Sequence, residues 1–230
     1  MLIPINIGSI SCRVPSSWED VTMSQYRQIV KHGDDLNAFR LLSIFSGVDY
    51  RTVINIDADK FDNRLFDVFQ FVVENPLDVH SINEYPEVIE IGKRLIKIPS
   101  DPGRCSIGQK LNLQAAAREA IESGKPHCDL ILYACAVYLQ PLIQATVFDD
   151  EQLESVMKII DELPVTVVYP IGGFFLRGYI EYVKLNNPHS EIRPLMKKSE
   201  PEPKNYSETS TSSIPSNNSQ EETQQSLTAL

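Results

Sequence analysis

One segment, Gly103-Arg104-Cys105-Ser106-Ile107-Gly108-Gln109-Lys110, comes closest to a motif that carries chemistry. It approaches the pattern G-x-x-x-x-G-K-[ST], whose backbone N–H groups cradle phosphates and whose hydroxyl binds Mg²⁺. Here the lysine comes one residue late, which turns it by about 100° around a helix, and Leu111 follows it in place of the hydroxyl. Ser106 and Gln109 instead have the spacing of a helix capping box. The sequence therefore favours a helix start over a nucleotide site, and nucleotide hydrolysis at this loop is the enzymatic alternative.

The side chains that bind metals do not fall into the spacing of a metal site. They are His32, His80, His127 and His189, together with Cys12, Cys105, Cys128 and Cys135. A zinc site needs ligands in spaced pairs, and the cysteines form no C-x-x-C pair. Asp57, Asp59 and Asp62 suggest a calcium loop, but Asp62 and Val68 stand where that loop needs glycine and glutamate. We predict no metal and no cofactor, with free thiols in a reducing compartment.

Composition narrows the function further. The chain has 230 residues, is 42% hydrophobic and carries a net charge of −10. Binding to a phosphate backbone needs clustered cations, so we predict no nucleic-acid partner. The sequence holds no G-x-S-x-G or H-E-x-x-H motif and no convincing Cys/His pairing. We therefore predict that the protein is not an enzyme.

The N-terminal residues predict a β-hairpin followed by a capped helix. Apolar residues alternate through residues 1–14 and are interrupted by Gly8-Ser9, which is typical of a two-residue hairpin turn. Thr22 and Gln25 then have the spacing of a capping box that opens a helix. Trp18, the one tryptophan, comes just before the cap, and we expect it to pack the hairpin onto that helix.

The rest of the chain predicts an α+β fold, mostly α, with an inserted second hairpin. Helices are expected at 35–46 with Gly47 as the terminating residue, after Asp59 as far as 75, from Ser106, and from Asp150 to Pro164. The second hairpin is expected at 84–104. Pro170, Gly172 and Gly173 interrupt the next apolar run, so the last helix is expected at 174–183. These elements form a single domain over 1–198, with hairpins at 1–14 and 84–104 and helices at 22–75 and 106–187.

Two segments differ strongly from the rest of the chain in composition, one because it is uncharged and apolar and the other because it is polar. Residues 130–148 carry no charge, but Gln140, Pro141 and Gln144 lie in the second half, so a buried central helix is favoured over a membrane span. Residues 199–230 are rich in Ser and Glu and contain one aromatic residue, Tyr206. Such a segment buries too little apolar surface to offset its ordering entropy, and we predict a disordered tail.

One stretch reverses the acidic balance of the chain. Seven cations lie between Lys93 and Lys125 and three acidic residues oppose them, so the local charge is +4. Lys93, Arg94 and Lys97 are the candidates for a docking patch that binds an acidic partner. The alternative, which we favour, is a solvated hairpin edge that its lysines keep soluble.

The N-terminal third resembles a family of phage proteins. It runs from Val14-Pro15-Ser16-Ser17-Trp18-Glu19-Asp20-Val21-Thr22 through a helix reading Leu41-Leu42-Ser43-Ile44-Phe45-Ser46-Gly47-Val48 to a phenylalanine-rich helix. This pattern resembles tail assembly chaperones of tailed bacteriophages, especially phages of Bacteroidetes hosts, over about residues 1–75. Trp18, Thr22, Gln25 and Gly47 belong to that pattern and are candidate structural or interaction residues.

The resemblance implies a non-enzymatic assembly protein in the cytoplasm of the infected host. Tail assembly chaperones bind the tape-measure protein, keep its long apolar helices from aggregating, recruit tail-tube subunits and are left out of the virion. A homo-oligomer is compatible with this role, and no membrane association is implied. The alternative is a virion component such as a head–tail connector protein.

Overall fold

The computed structural model describes residues 1–8, 10–60, 64–74, 76–77 and 84–186. The chain is mostly helical and contains two β-hairpins, so the predicted α+β, mostly α fold is confirmed. The strands are β1 (Leu2–Ile7), β2 (Ile10–Pro15), β3 (Val88–Ile91) and β4 (Arg94–Lys97). The helices are α1 (Met23–His32), α2 (Ala38–Ser46), α3 (Tyr50–Ile54), α4 (Arg64–Glu74), α5 (Ile107–Ser123), α6 (His127–Gln144), α7 (Leu153–Asp161) and α8 (Val165–Asn186). The predicted tail at 199–230 lies outside the described residues.

The first hairpin forms as its alternation predicts. β1 and β2 are antiparallel and Ile7 pairs with Ile10, which leaves the predicted two-residue turn between them. Gly8 has a φ of +58°, as the first residue of a primed hairpin turn requires. Ile7 and Val14 are fully buried. The hairpin therefore contributes one apolar face to the core.

A short backbone pairing links the start of α1 to the α7–α8 junction. The N–H of Met23 donates to the carbonyl of Leu163 at 2.9 Å, and the N–H of Val165 donates to the carbonyl of Val21 at 2.8 Å. Residues far apart in sequence are thus fixed beside one another before either helix begins. This contact sets α1 against the C-terminal helices.

The centre of the fold is the contact between α6 and α8. α6 is buried along nearly its whole length, as predicted for the uncharged segment. A Cβ placed on Gly172 of α8 would lie 2.4 Å from the carbonyl oxygen of Ile131 in α6. No side chain fits that space, so the glycine allows the two helix backbones to approach closely. Among the described helices none is long and apolar enough to cross a membrane.

The predicted start of the last helix was wrong, although residues 174–183 are helical as expected. Pro170, Gly172 and Gly173 do not interrupt the chain, because α8 runs without a break from Val165 to Asn186. Pro170 lacks one N–H and so leaves one carbonyl of the preceding turn without its usual partner. Gly172 packs against α6, and a Cβ on Gly178 would meet Pro102 at 2.2 Å. Tertiary packing overrides the weak helix propensity of these residues.

Several predicted boundaries also move. α2 begins at Ala38 and not near 35, because the Asn37 side chain caps it by accepting from the N–H of Arg40. α3 was not predicted at all, and it is only five residues long. α6 ends at Gln144, four residues short of 148, where Ala145 takes a left-handed φ of 54°. α2 ends at Gly47 in a left-handed conformation, as predicted.

Candidate functional site

A cleft of about 380 Å³ lies among α5, α6 and α7. α5 contributes the small side chains Ala115, Ala116 and Ala120 to its lining, and α7 contributes Met157. α6 contributes Leu130 and Tyr133. Because α5 presents methyl groups where a larger side chain would fill the space, the cleft is a consequence of the alanine run in this helix. Small, apolar and aromatic side chains share the lining with four charged residues, Arg27, Glu119, Lys125 and Asp129.

The polar groups around the cleft satisfy one another. Lys125 forms an ion pair with Glu119 at the end of α5, and the Tyr133 hydroxyl donates to the Asn112 side chain at 3.1 Å. Burial raises the pKa of Tyr133, and the nearby Asp150 and Glu119 raise it further. Tyr133 is therefore neutral at physiological pH. The cleft offers a binding surface and not an acid–base pair poised for catalysis.

A three-helix ion cluster forms part of the lining of the cleft, through Arg27 and Asp129. The guanidinium of Arg27 in α1 contacts Asp129 in the first turn of α6 at 2.6 Å and Asp161 at the end of α7 at 2.8 Å. The Asp161 side chain is 20% exposed, and its second oxygen has no hydrogen-bond partner. Burial raises the pKa of Asp161 even though Arg27 acts to lower it. One cation thus holds three helices together through two partly buried carboxylates.

The adjacent pair His127-Cys128 does not form a catalytic dyad. The Nδ1 of His127 lies 2.8 Å from the hydroxyl of Tyr169. Burial raises the pKa of the Cys128 thiol to about 11, so the thiolate needed for a nucleophile is not populated at neutral pH. All four cysteines are free. Over the described ranges no three His, Cys, Asp or Glu side chains come together to hold a metal ion.

The segment that approaches the phosphate-loop motif, residues 103–110, forms a capped helix start, which is the interpretation that the sequence favoured. The Ser106 side chain accepts from the N–H of Gln109 at 3.1 Å, and the Gln109 side chain accepts from the N–H of Ser106 at 2.8 Å. The Gln109 amide then donates to the carbonyl of Val137 at 2.8 Å and is buried. The loop before it is closed by Asp101, which accepts from the N–H of Gly103. These residues build the start of α5.

The outward side of α5 carries a feature that the sequence analysis missed. Ile107, Leu111 and Ile121 are 78%, 58% and 58% exposed. With Gln114 and Arg118 they follow the 4-3-4-3 spacing of a helix-packing seam. We call these five residues the α5 stripe. The signal was present in the sequence, because α5 has apolar residues on two faces, whereas an ordinary surface helix has them on one.

The predicted interaction residues near the N-terminus have structural roles in the fold. Trp18 meets Tyr26 edge-on at 5.9 Å and Phe71 at 5.3 Å between ring centroids, so it connects the start of α1 to α4. Thr22 and Gln25 form the predicted capping box, with bonds of 3.0 and 3.2 Å. These residues stabilise α1 and do not line the cleft.

The predicted cationic patch is divided by the structure. Arg94 donates to the carbonyls of Ile143 at 2.6 Å and Leu142 at 3.3 Å, so it holds the second hairpin against the C-terminal end of α6. Lys125 pairs with Glu119 and Arg104 with Asp101. Lys93 and Lys97 remain exposed on the hairpin. The region is not one continuous cationic surface, since several of its charges already have partners.

Comparisons with protein-family models, with curated proteins and with solved structures find no match. The class that the fold defines is a mostly helical α+β protein with an alanine-lined cleft and an exposed apolar helix beside it. The resemblance of residues 1–75 to tail assembly chaperones stays a prediction.

Proposed function

We propose that this chain is a non-enzymatic phage assembly protein, a tail assembly chaperone that binds amphipathic helices of the tape-measure protein in the host cytoplasm. The observation that carries the proposal is the α5 stripe, whose three large apolar side chains are all more than half exposed. Single exposed apolar residues are ordinary, but a spaced row of them along one helix marks a binding surface. The N-terminal resemblance supplies the identity of the client.

The surface suits a helix as its ligand. Ile107, Leu111 and Ile121 occupy three of the five positions of a seam that faces a second helix, and the polar Gln114 and Arg118 occupy the other two. Leu111 and Ala115 are neighbours on α5, and Ala115 also lines the cleft, so the stripe and the cleft form one continuous surface. The alanines let a client backbone come close, as in other grooves that bind a helix through its apolar face. The net charge of −10 favours solubility of the complex.

Co-expression with the tape-measure protein of the same phage tests the proposal. We expect the wild-type chain to keep the client soluble and to co-purify with it, and the double variant L111E/I121E to lose both effects. Val73→Glu is the matched control, because Val73 is 74% exposed on α4 and outside the stripe. An insoluble client with the wild-type chain, or equal solubilisation by all three proteins, would overturn the proposal.

The composition of purified virions distinguishes a chaperone role for this chain from a connector role. A chaperone is absent from finished particles, so mass spectrometry of purified virions should detect no stoichiometric copy of this chain. Stoichiometric peptides would overturn the chaperone role and assign the chain to the head–tail connector class.

A further inference from the structure

Among the described residues, both edges of the second hairpin are open. β3 and β4 are antiparallel, and the N–H of Ile98 donates to the carbonyl of Glu87 at 2.8 Å just beyond the strands. This bond fixes the alternation of the ladder, so every second residue directs its N–H and C=O away from the partner strand. Those residues are Val88 and Glu90 on β3, and Leu95 and Lys97 on β4. Within the described part of the chain, no third strand pairs with this sheet.

The same four residues form an exposed face that carries two charged and two apolar side chains. Leu95 is 74% exposed and Val88 is 45% exposed, whereas Ile89 and Ile96 on the opposite face are both 5% exposed. Glu90 lies on β3 and Lys97 on β4, and both are exposed. Neither takes part in an ion pair with another described residue. The β3 edge is therefore acidic and the β4 edge basic, and each edge has one exposed apolar side chain.

We propose that the β4 edge of one copy of this protein pairs with the β3 edge of a second copy and continues the antiparallel sheet. In the antiparallel register that uses these outward groups, Lys97 lies opposite Val88 of the second copy and Leu95 lies opposite its Glu90. Lys97 and that Glu90 are then diagonal neighbours, and all four side chains are on one face. Charge decides between the possible pairings. Two β4 edges would bring lysines together and two β3 edges would bring glutamates together, and like charges across strands repel.

This pairing is head-to-tail, because each copy uses a different edge toward each neighbour. Head-to-tail contacts close into rings or extend into filaments, and do not stop at a symmetric dimer. The bonds from Arg94 to α6 hold the hairpin against the helical body. The inference does not depend on the chaperone proposal, because the hairpin and the α5 stripe are different surfaces.

Sedimentation velocity of the full chain over a concentration series tests the pairing, with circular dichroism to check that each variant is folded. We expect assemblies larger than a dimer for the wild type, and loss of assembly for Lys97→Glu and for Glu90→Lys. The double variant carrying both changes restores the charge match and should assemble again. Lys31→Glu, at an exposed position of α1, is the control for charge reversal and should assemble like the wild type.

Three results would overturn the inference. A wild-type chain that is monomeric at every concentration has no such contact. Assembly that survives either single variant uses another surface. A monomeric chain whose hairpin binds added poly-glutamate, with loss of that binding in Lys97→Glu, would make the occupant an acidic partner and not a second copy.

Discussion

Two consecutive helices of nearly equal length, α5 and α6, use their apolar residues in opposite ways. α6 has 18 residues, of which twelve are buried. α5 has 17 residues, of which only Gln109 and Leu113 are buried. α6 lies between α5, α7 and α8 and forms the core. α5 covers one side of α6 and directs three large apolar side chains outward.

The contact between these helices explains the difference. α5 packs on the core through one large apolar side chain, Leu113, through alanines, and through the bond from the Gln109 amide to the carbonyl of Val137. Its large residues Ile107, Leu111 and Ile121 are therefore free to meet another chain. The apolar residues of α6 stabilise the fold, whereas the exposed apolar residues of α5 form the proposed binding surface. The comparison predicts that substitutions in and against α6 change stability and that those on the α5 stripe change association.

Among changes at the contacts between helices, the largest effect on stability is expected at Gly172, which packs against α6. Gly172→Ala puts a Cβ 2.4 Å from the carbonyl oxygen of Ile131. We expect a loss of about 3 kcal/mol in the free energy of unfolding, as overpacking against backbone costs in other cores. Urea unfolding measures it. Gly173→Ala is the matched control, because its Cβ would come no closer than 3.7 Å to any atom, and it should gain up to about 1 kcal/mol from helix propensity. Equal effects at the two glycines would contradict the close contact of α6 and α8.

The second largest effect is expected at Arg27, which connects the end of α7 to the start of α6. Arg27→Met removes the cation from Asp129 and Asp161, and we expect a loss of about 2 kcal/mol at neutral pH, since the ion cluster is partly exposed and screened by water. Asp161→Asn should cost much less, because Arg27 keeps Asp129 as a partner. Chemical unfolding of both variants measures the difference. A loss in Asp161→Asn as large as in Arg27→Met would contradict this account.

The pH dependence of the same cluster has a definite sign. Burial raises the pKa of Asp161 above its ordinary value of about 3.9. The folded state then binds this proton more tightly than the unfolded state, so the contribution of Asp161 to stability falls as the pH rises through that pKa. In Arg27→Met the pKa rises further and the fall with pH should be steeper. Unfolding measured from pH 4 to 7 gives both slopes, and a steeper slope in the wild type would contradict the assignment.

Local patterns in the sequence were sufficient for much of this architecture. The two capping boxes, the hairpin at Gly8, the second hairpin and the buried segment that became α6 depend on residues within a few positions of one another. The continuity of α8 was missed because Gly172 acts on Ile131, far away in the sequence. The Arg27 cluster was missed for the same reason, since its three members are more than 30 residues apart in α1, α6 and α7. The α5 stripe was missed because the sequence does not say which of two apolar faces of a helix turns inward.

A smaller effect is expected where α5 begins. Ser106→Ala removes the side chain that accepts from the N–H of Gln109 and should cost about 1 kcal/mol. Thr22→Ala removes the equivalent cap of α1 and is the matched comparison. Because α5 is held mainly on one side, hydrogen exchange should speed up over α5 alone in Ser106→Ala. Faster exchange over α6 as well would show that α5 and α6 unfold together, which would contradict their separation into a surface helix and a core helix.

The smallest effect on stability is expected on the α5 stripe itself. Leu111→Gln and Ile121→Gln remove side chains that are each 58% exposed, and surface changes of this kind usually stay within about 0.5 kcal/mol. Leu132→Ala in α6 is the contrast, because Leu132 is fully buried and a cavity there should cost about 2 to 5 kcal/mol. If the stripe variants unfold as easily as Leu132→Ala, then these apolar residues stabilise the fold and are not available to a partner. If the stripe variants instead keep the stability of the wild type and no longer bind the client, the apolar residues of α5 serve binding and not folding.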